Sequence, residues 1–233
     1  MEIKNYLPEV KLVSFTSASD ILNEEIDKSD LSLGDLIVYC ARVSNPDNQH
    51  HSETAPKLLK YLMANKHWSP FEMVDICMEI KTTRDISRQM LRHRSFVFQE
   101  FSQRYARASE YCFKECRLQD FENRQNSIAI HSHEDYEELQ KYWHEAQELI
   151  IMKAHAYYLK LLDNGVAKEQ ARCILPEGNT YTRLYMKGSV RSWIHYIELR
   201  SHKSTQKEHR MIANLASVHL HNLLPELFDD NRD

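Results

Sequence analysis

Apolar and polar positions along the chain change period several times, and each change marks an element. Residues 34–44 and 54–65 carry apolar side chains at three- and four-residue steps, the second with Leu58, Leu59, Leu62 and Met63 on one side, and both are predicted helices. His67-Trp68-Ser69-Pro70-Phe71-Glu72 then reads as a turn, because a proline biases the residue before it away from helix. From Met73 to Ile80 the period becomes two. Val74, Ile76, Met78 and Ile80 alternate with Asp75, Cys77 and Glu79, as in a strand with one buried face. A short helix over about 83–91 follows. From His133 to Asn164, Leu139, Trp143, Ala146, Ile150, Ala154, Tyr157 and Leu161 recur at helical steps, with Gly165 as the stop; this stripe is expected to face the core. A shorter helical run covers 167–174, Thr180–Met186 is strand-like, and helices over 189–201 and 204–223 close the chain. Asn45-Pro46-Asp47-Asn48 and the polar stretch 120–133 read as loops. Helices and strands without regular alternation predict an α+β fold, an antiparallel sheet flanked by helices, forming one domain over residues 1–233.

Composition narrows the functional classes. The 233 residues are 42% hydrophobic and 27% charged with a net charge of -4, ordinary for a globular protein and opposed to a general nucleic-acid binder, which carries a basic excess. No apolar run approaches the roughly 20 residues that span a bilayer. The N-terminal MEIKNYLPEV lacks a signal-peptide core, so a cytoplasmic protein is expected. Glycine occurs only at 34, 165, 178 and 188, positions that allow neither a G-x-G-x-x-G turn nor a P-loop. A bound nucleotide or flavin must therefore be held by side chains and isolated backbone groups, without a Rossmann glycine turn. The five cysteines (40, 77, 112, 116, 173) show no paired spacing, which argues for free buried thiols and against zinc. The pairs His131/His133 and His219/His221 each lack a third ligand at a suitable spacing.

One region departs from this ordinary background. Six arginines (84, 88, 92, 94, 104, 107) stand against two acids, Asp85 and Glu100, between residues 84 and 107. Arg84, Arg88 and Arg92 at i, i+4, i+8 would share one helix face, where like charges repel by a few tenths of a kcal/mol per pair. A docked anion offsets that cost, since guanidinium forks match phosphate oxygens bidentately. The interleaved Phe96, Phe98, Phe101 and Tyr105 offer flat apolar faces to a ring system, so the expected ligand is phosphorylated and ring-bearing.

Arg92-His93-Arg94, seven residues and Ser102 resemble the signature of the flavin-dependent thymidylate synthase family. HWSPFE at 67–72 stands 25 residues before Arg92, where that family places a similar turn, and Arg88-Gln89, Glu100, Arg104 and Tyr105 frame the signature. Ala171-Arg172-x-x-Leu175-Pro176, Tyr181-Thr182-Arg183, Arg191-Ser192, Glu198-Leu199-Arg200 and Gln206-x-Glu208 are similar to its C-terminal blocks, in order. The resemblance covers roughly residues 35–225. It implies reductive methylation of deoxyuridylate (dUMP) to thymidylate (dTMP). Methylenetetrahydrofolate gives the carbon, NADPH-reduced FAD gives hydride, and tetrahydrofolate leaves without an enzyme nucleophile. It also implies an α+β homotetramer whose active sites are shared between subunits, with neither nucleic-acid nor membrane partners.

Residue roles come with the resemblance. Arg200 would polarise the pyrimidine, although a cation at a helix C-terminus is favoured by the dipole alone. Gln89, Arg92, Glu100, Ser102, Gln103 (through its backbone N–H), Arg104 and Arg172 would hold the nucleotide. Ser69, Glu72, Arg92, His93, Arg94, Gln99, Arg191 and His195 would hold FAD, and no metal is implied. His67 matches a histidine near the flavin and folate, against the plainer reading of a turn histidine bonded to backbone. Ser102 belongs to binding, because the sequence offers no oriented base to activate it. Arg191 and Arg200 are nine positions apart, about 180° around a straight helix, which sites shared between subunits would accommodate. Several residues depart from the common pattern: Met73 for His, Gln99 for Asn, Phe101 for a smaller aliphatic, and Gly188, Ser189 and His195 near frequent asparagines. Gln103 replaces a common Gly whose missing side chain permits close approach. Two other readings remain open: a family member that binds FAD and nucleotide without turnover, and a single-stranded nucleic-acid-binding module using the arginines and phenylalanines.

Overall fold

The computed structural model describes residues 1–26, 31–51, 53–130 and 135–228. In chain order the elements are β1 (Glu2–Asn5), β2 (Glu9–Phe15), α1 (Asp20–Ile26), α2 (Leu33–Ala41), α3 (Ala55–Ala64), β3 (Asp75–Thr83), α4 (Arg84–Met90), β4 (Val97–Glu100), β5 (Glu110–Phe113), β6 (Arg117–Gln119), β7 (Ser127–Ala129), α5 (Tyr136–Asp163), α6 (Lys168–Ala171), β8 (Tyr181–Ser189), α7 (Val190–Ser201), α8 (Lys207–Leu223) and α9 (Pro225–Phe228). The main sheet has the order β2-β3-β8-β4. Its central strands pair antiparallel from Asp75–Ser189 to Thr83–Tyr181. Ile76, Met78 and Ile80 are buried, as the period-two pattern requires. β1 pairs in parallel with β5, and β6 with β7 forms a small antiparallel ribbon. This is the expected α+β architecture.

α7 and α8 bury their apolar faces against the sheet. Trp193 of α7 is fully buried, and its indole N–H donates to the Ile76 carbonyl at 3.0 Å. β3 runs directly into α4 and β8 directly into α7, so the strands fix where these helices begin. Ser189 caps α7 by accepting from the Ser192 N–H at 3.2 Å. At the far end of α5, Gly165 adopts φ +83°, and bonds from Gly165 N to Leu162 O (3.0 Å) and Val166 N to Leu161 O (2.9 Å) form a Schellman stop.

Gly188 has a packing role. A Cβ there would lie 2.6 and 2.8 Å from two ring carbons of Phe96. That ring is wedged against Trp193 and Tyr196, with centroids 4.9 and 5.8 Å away. Gly188→Ala is expected to destabilise the fold by about 1–3 kcal/mol through overpacking. Thermal melting checks this, and Phe96→Leu in the same chain should recover part of the loss.

Several expectations are corrected. The α5 stripe predicted as core faces outward: Trp143, Ile150 and Tyr157 are 39, 55 and 62% exposed, while Gln147, Ile151 and Tyr158 face inward. Gln147 holds the inward slot because its carboxamide bonds both the N–H (2.8 Å) and the carbonyl (3.0 Å) of Lys114. α4 ends before Arg92, and Arg84 is buried beside Glu100 at 3.8 Å, so no three-arginine helix face exists. Cys112 and Cys116 are buried thiols, but Cys173 is exposed and Cys40 and Cys77 are half-buried. Part of the 120–133 stretch is strand β7. His131, His133 and the first predicted residues of the long helix lie outside the described residues. Among the described residues, no helix is long and apolar enough to cross a membrane.

Candidate active site

The Arg92-His93-Arg94 turn hangs from the end of α4 and is pinned to α7 at two points. Phe96 supplies one, in the niche left by Gly188. His93 supplies the other: its ring packs edge-on to Tyr196 (5.0 Å), and its Nε2 accepts from the Arg200 Nε–H at 2.9 Å. Burial, and then the Arg200 charge, push the His93 imidazole down to about 4. It is therefore neutral near pH 7, with Nε2 as acceptor and the proton on Nδ1. Held this way, the turn leaves Arg92 and Arg94 exposed, without an ion-pair or hydrogen-bond partner among the described residues.

The two ends of α7 serve different neighbours. At its start, Arg191 Nη1 lies 2.7 Å from Glu72 Oε1, and Ser189 donates to the other carboxylate oxygen. The Ser189 hydroxyl, followed by Arg191, holds the Glu72 carboxyl below its usual range against an opposing effect of burial. One turn further, His195 meets Trp68 of the same upstream segment, ring to ring at 4.6 Å. At its end, Arg200 meets His93. Nine residues at 1.5 Å each separate the two arginines by about 13 Å along the helix. They do not converge within the chain.

A third cluster surrounds Glu100. Its Oε1 accepts from Ser87 Oγ (2.8 Å) and Thr182 Oγ1 (2.9 Å). Arg104 and Arg172 meet over one residue: Arg104 Nε lies 3.5 Å from the Glu169 carboxylate, and Arg172 Nε donates to the Glu169 carbonyl at 3.3 Å. The Arg104 pair is more than half exposed, so breaking it costs little. Ser102 Oγ accepts from the Arg104 backbone N–H at 3.3 Å. Gln103 is buried, and its Nε2 has no partner among the described residues. Its side chain fills interior space in place of a glycine's open approach.

Other sequence-predicted residues stand apart. Ser69 and Gln99 are exposed and carry no side-chain bond among the described residues. His67 is exposed; its backbone N–H donates to the Leu62 carbonyl at 2.8 Å, and its ring lies 5.9 Å from that of Tyr61. A cavity of about 810 Å³ between β6, α5 and α8, lined by Tyr6, Lys114, Arg117, Trp143, Glu208 and Met211 among others, contains none of the predicted site residues. Neither does its neighbour of about 440 Å³. The predicted site residues instead lie exposed or half-buried at the surface, Gln103 excepted, and of the motif blocks Gln206 and Glu208 reach these cavities.

Sequence reasoning missed His209 and Tyr196, which lie beside this surface. His209 is fully buried, with Nδ1 3.3 Å from Gln89 Oε1 and Nε2 3.0 Å from the Tyr196 hydroxyl. Burial, Arg200 and His93 push it down to about 3. A signal existed: Glu208 and His209 continue the helical face of Ile212, Ala213, Ala216 and Leu220, polar groups on an apolar stripe.

With this geometry described, the chain can be set beside known proteins. The family model described as Thy1, thymidylate synthase complementing protein, matches residues 31–226. A flavin-dependent thymidylate synthase of Synechocystis sp. is 51% identical over 206 residues, covering 88% of this chain and 90% of its own. A probable flavin-dependent thymidylate synthase of Paramecium bursaria Chlorella virus 1 is 50% identical over 181 residues, covering 77% and 82%. The structure of the UMP/dUMP methylase PolB from Streptomyces cacaoi, bound with 5-Br dUMP, is similar with a TM-score of 0.78. It covers 97% of this chain and 95% of its own at 24% identity, a likeness of fold.

Proposed function

Since the chain belongs to the flavin-dependent thymidylate synthase family, we propose that it is a methyltransferase converting dUMP to dTMP in the cytoplasm, as one domain over residues 1–233. The balanced reaction consumes dUMP, methylenetetrahydrofolate, NADPH and a proton, and yields dTMP, tetrahydrofolate and NADP+. The observation that carries this reading is the His93–Arg200 hydrogen bond, which joins the signature turn to the C-terminal block 107 residues away.

The residues present fit FAD. Arg92 and Arg94 are exposed guanidinium forks without a carboxylate partner among the described residues, the donors that a pyrophosphate needs where no glycine turn exists. Ser69, Gln99, the Glu72–Arg191 pair, His93 and His195 complete the cofactor side. FAD, when bound, supplies hydride received from NADPH. On the substrate side Arg104 and Arg172 take the nucleotide phosphate, with Ser102 and the Gln103 backbone N–H beside them. Glu100, Gln89 and Arg92 line the sugar and base. The outer guanidinium nitrogens of Arg200 polarise the pyrimidine while its Nε stays bonded to His93. Carbon 5 of the base then attacks the folate-borne carbon, so no enzyme nucleophile is required. His67 faces the folate side.

An open surface of motif residues and an outward apolar stripe on α5 support a homotetramer with shared sites. Light scattering is expected to give four chains per particle. The purified protein is expected to be yellow, and Arg92→Ala with Arg94→Ala to lose bound flavin while the thermal midpoint of the apoprotein holds. Retention of flavin by that double variant would remove the pyrophosphate assignment.

A further inference from the structure

Gln206 and Glu208 stand at the start of α8, outside the residues that hold substrate or cofactor in the proposed function. Glu208 is a buried carboxylate, 3% exposed. Arg117 Nη2 lies 2.7 and 2.8 Å from its two oxygens. Burial favours its neutral form most strongly, but the bond and charge of Arg117, its own backbone N–H and the Gln206 amide together hold the carboxyl below its usual range. An ionised carboxylate only accepts hydrogen bonds, and that fact orders everything attached to it.

Gln206 Nε2 donates to Glu208 Oε2 at 3.0 Å, so Gln206 must turn its carbonyl oxygen the other way. That oxygen accepts from Gln89 Nε2 at 2.7 Å. Gln89 therefore directs its own oxygen toward His209 Nδ1, which carries the imidazole proton. His209 Nε2 is left to accept from the Tyr196 hydroxyl. Four side chains are thus assigned one polarity from one buried charge, and Gln89, itself half-buried, is the one among them read as a nucleotide ligand. Its second amide hydrogen and second lone pair remain uncommitted in this chain of bonds.

We propose that Gln206, ordered by the buried Glu208–Arg117 pair, is a positioning residue that fixes which edge of the Gln89 carboxamide meets the substrate nucleotide. The inference rests on the reading of Gln89 as a nucleotide ligand. Without Gln206, the Gln89 amide and the His209 tautomer can reverse together, so that Gln89 presents the wrong atom, because the two ends of its amide are nearly isosteric.

The test is calorimetric titration of dUMP into flavin-loaded wild type, Gln206→Met, Gln89→Met and the double variant. Gln206→Met is expected to weaken dUMP binding about tenfold, the order expected for a disordered polar contact, with flavin content unchanged. The double variant should bind no more weakly than Gln89→Met alone, since both changes act through one group. Gln206→Asn keeps a polar side chain but is too short to bridge, and should show the same weakening if the methionine variant does not fold. Unchanged dUMP affinity in a folded Gln206 variant, or additive losses in the double variant, would overturn the proposal. Wild type that retains flavin but does not bind dUMP would remove the nucleotide reading itself, and this inference with it.

Discussion

Arg200→Ala is expected to lower the rate of thymidylate formation by about 10²–10³-fold at saturating dUMP, the usual effect of deleting one preorganised donor at a centre where charge develops. Arg200 is half-buried at the last turn of α7, and its Nε is committed to His93, so the guanidinium is oriented before any ligand arrives. A lysine retains the charge favoured at a helix C-terminus, but one ammonium cannot both bond His93 and polarise a base. Arg200→Lys should therefore lose nearly as much activity as the alanine variant while keeping the wild-type thermal midpoint. Full activity in Arg200→Lys would reduce the residue to a helix-end charge.

The second large effect is acid lability in a particular window. His93 is pushed down to about 4 and His209 to about 3, in both cases first by burial and then by neighbouring positive groups. In the unfolded chain both imidazoles take up protons near the ordinary value of 6.5. Between that value and about 4, the unfolded state binds protons that the folded state does not. Stability from these groups is thus fully present above pH 6.5 and falls as pH drops through the window. By about pH 4 the loss from His209 alone is roughly 3 kcal/mol, and His93, discounted for its partial exposure, adds a smaller share. The carboxylates Glu72 and Glu208, held below their usual 4.5, lose their share only at lower pH, so the two contributions separate. Urea midpoints measured from about pH 7.5 to about 4 should slope throughout the upper window, and His209→Gln should flatten that slope. A flat profile down to about pH 5 would contradict the burial of neutral histidines.

How much of this the chain announces depends on what each pattern encodes. β3 and β8 were legible because one face of each is buried and the alternation is unbroken. α7 and α8 were legible from their helical spacing. The first two strands were not: β2 is an edge strand whose inward positions, Val10 and Leu12, are only partly buried, so its alternation is weak. In α5 the period was readable but the inward face was not, because a glutamine bonded to backbone occupies the core slot that apolarity would assign to Trp143 or Ile150. The candidate site shows the same division. Motif spacing names Arg92, His93, Arg94, Ser102 and Arg200, yet no spacing predicts that His93 and Arg200 touch. The bonds among Arg117, Glu208, Gln206 and Gln89 join residues up to 117 positions apart and arise from packing alone.

The central claim is tested most directly by thymidylate formation from dUMP by the purified protein with FAD, NADPH and methylenetetrahydrofolate, each component omitted in turn. The account predicts product only when all four are present, with tetrahydrofolate released. Product accompanied by dihydrofolate, product independent of FAD, or no product from folded, flavin-loaded protein would contradict it.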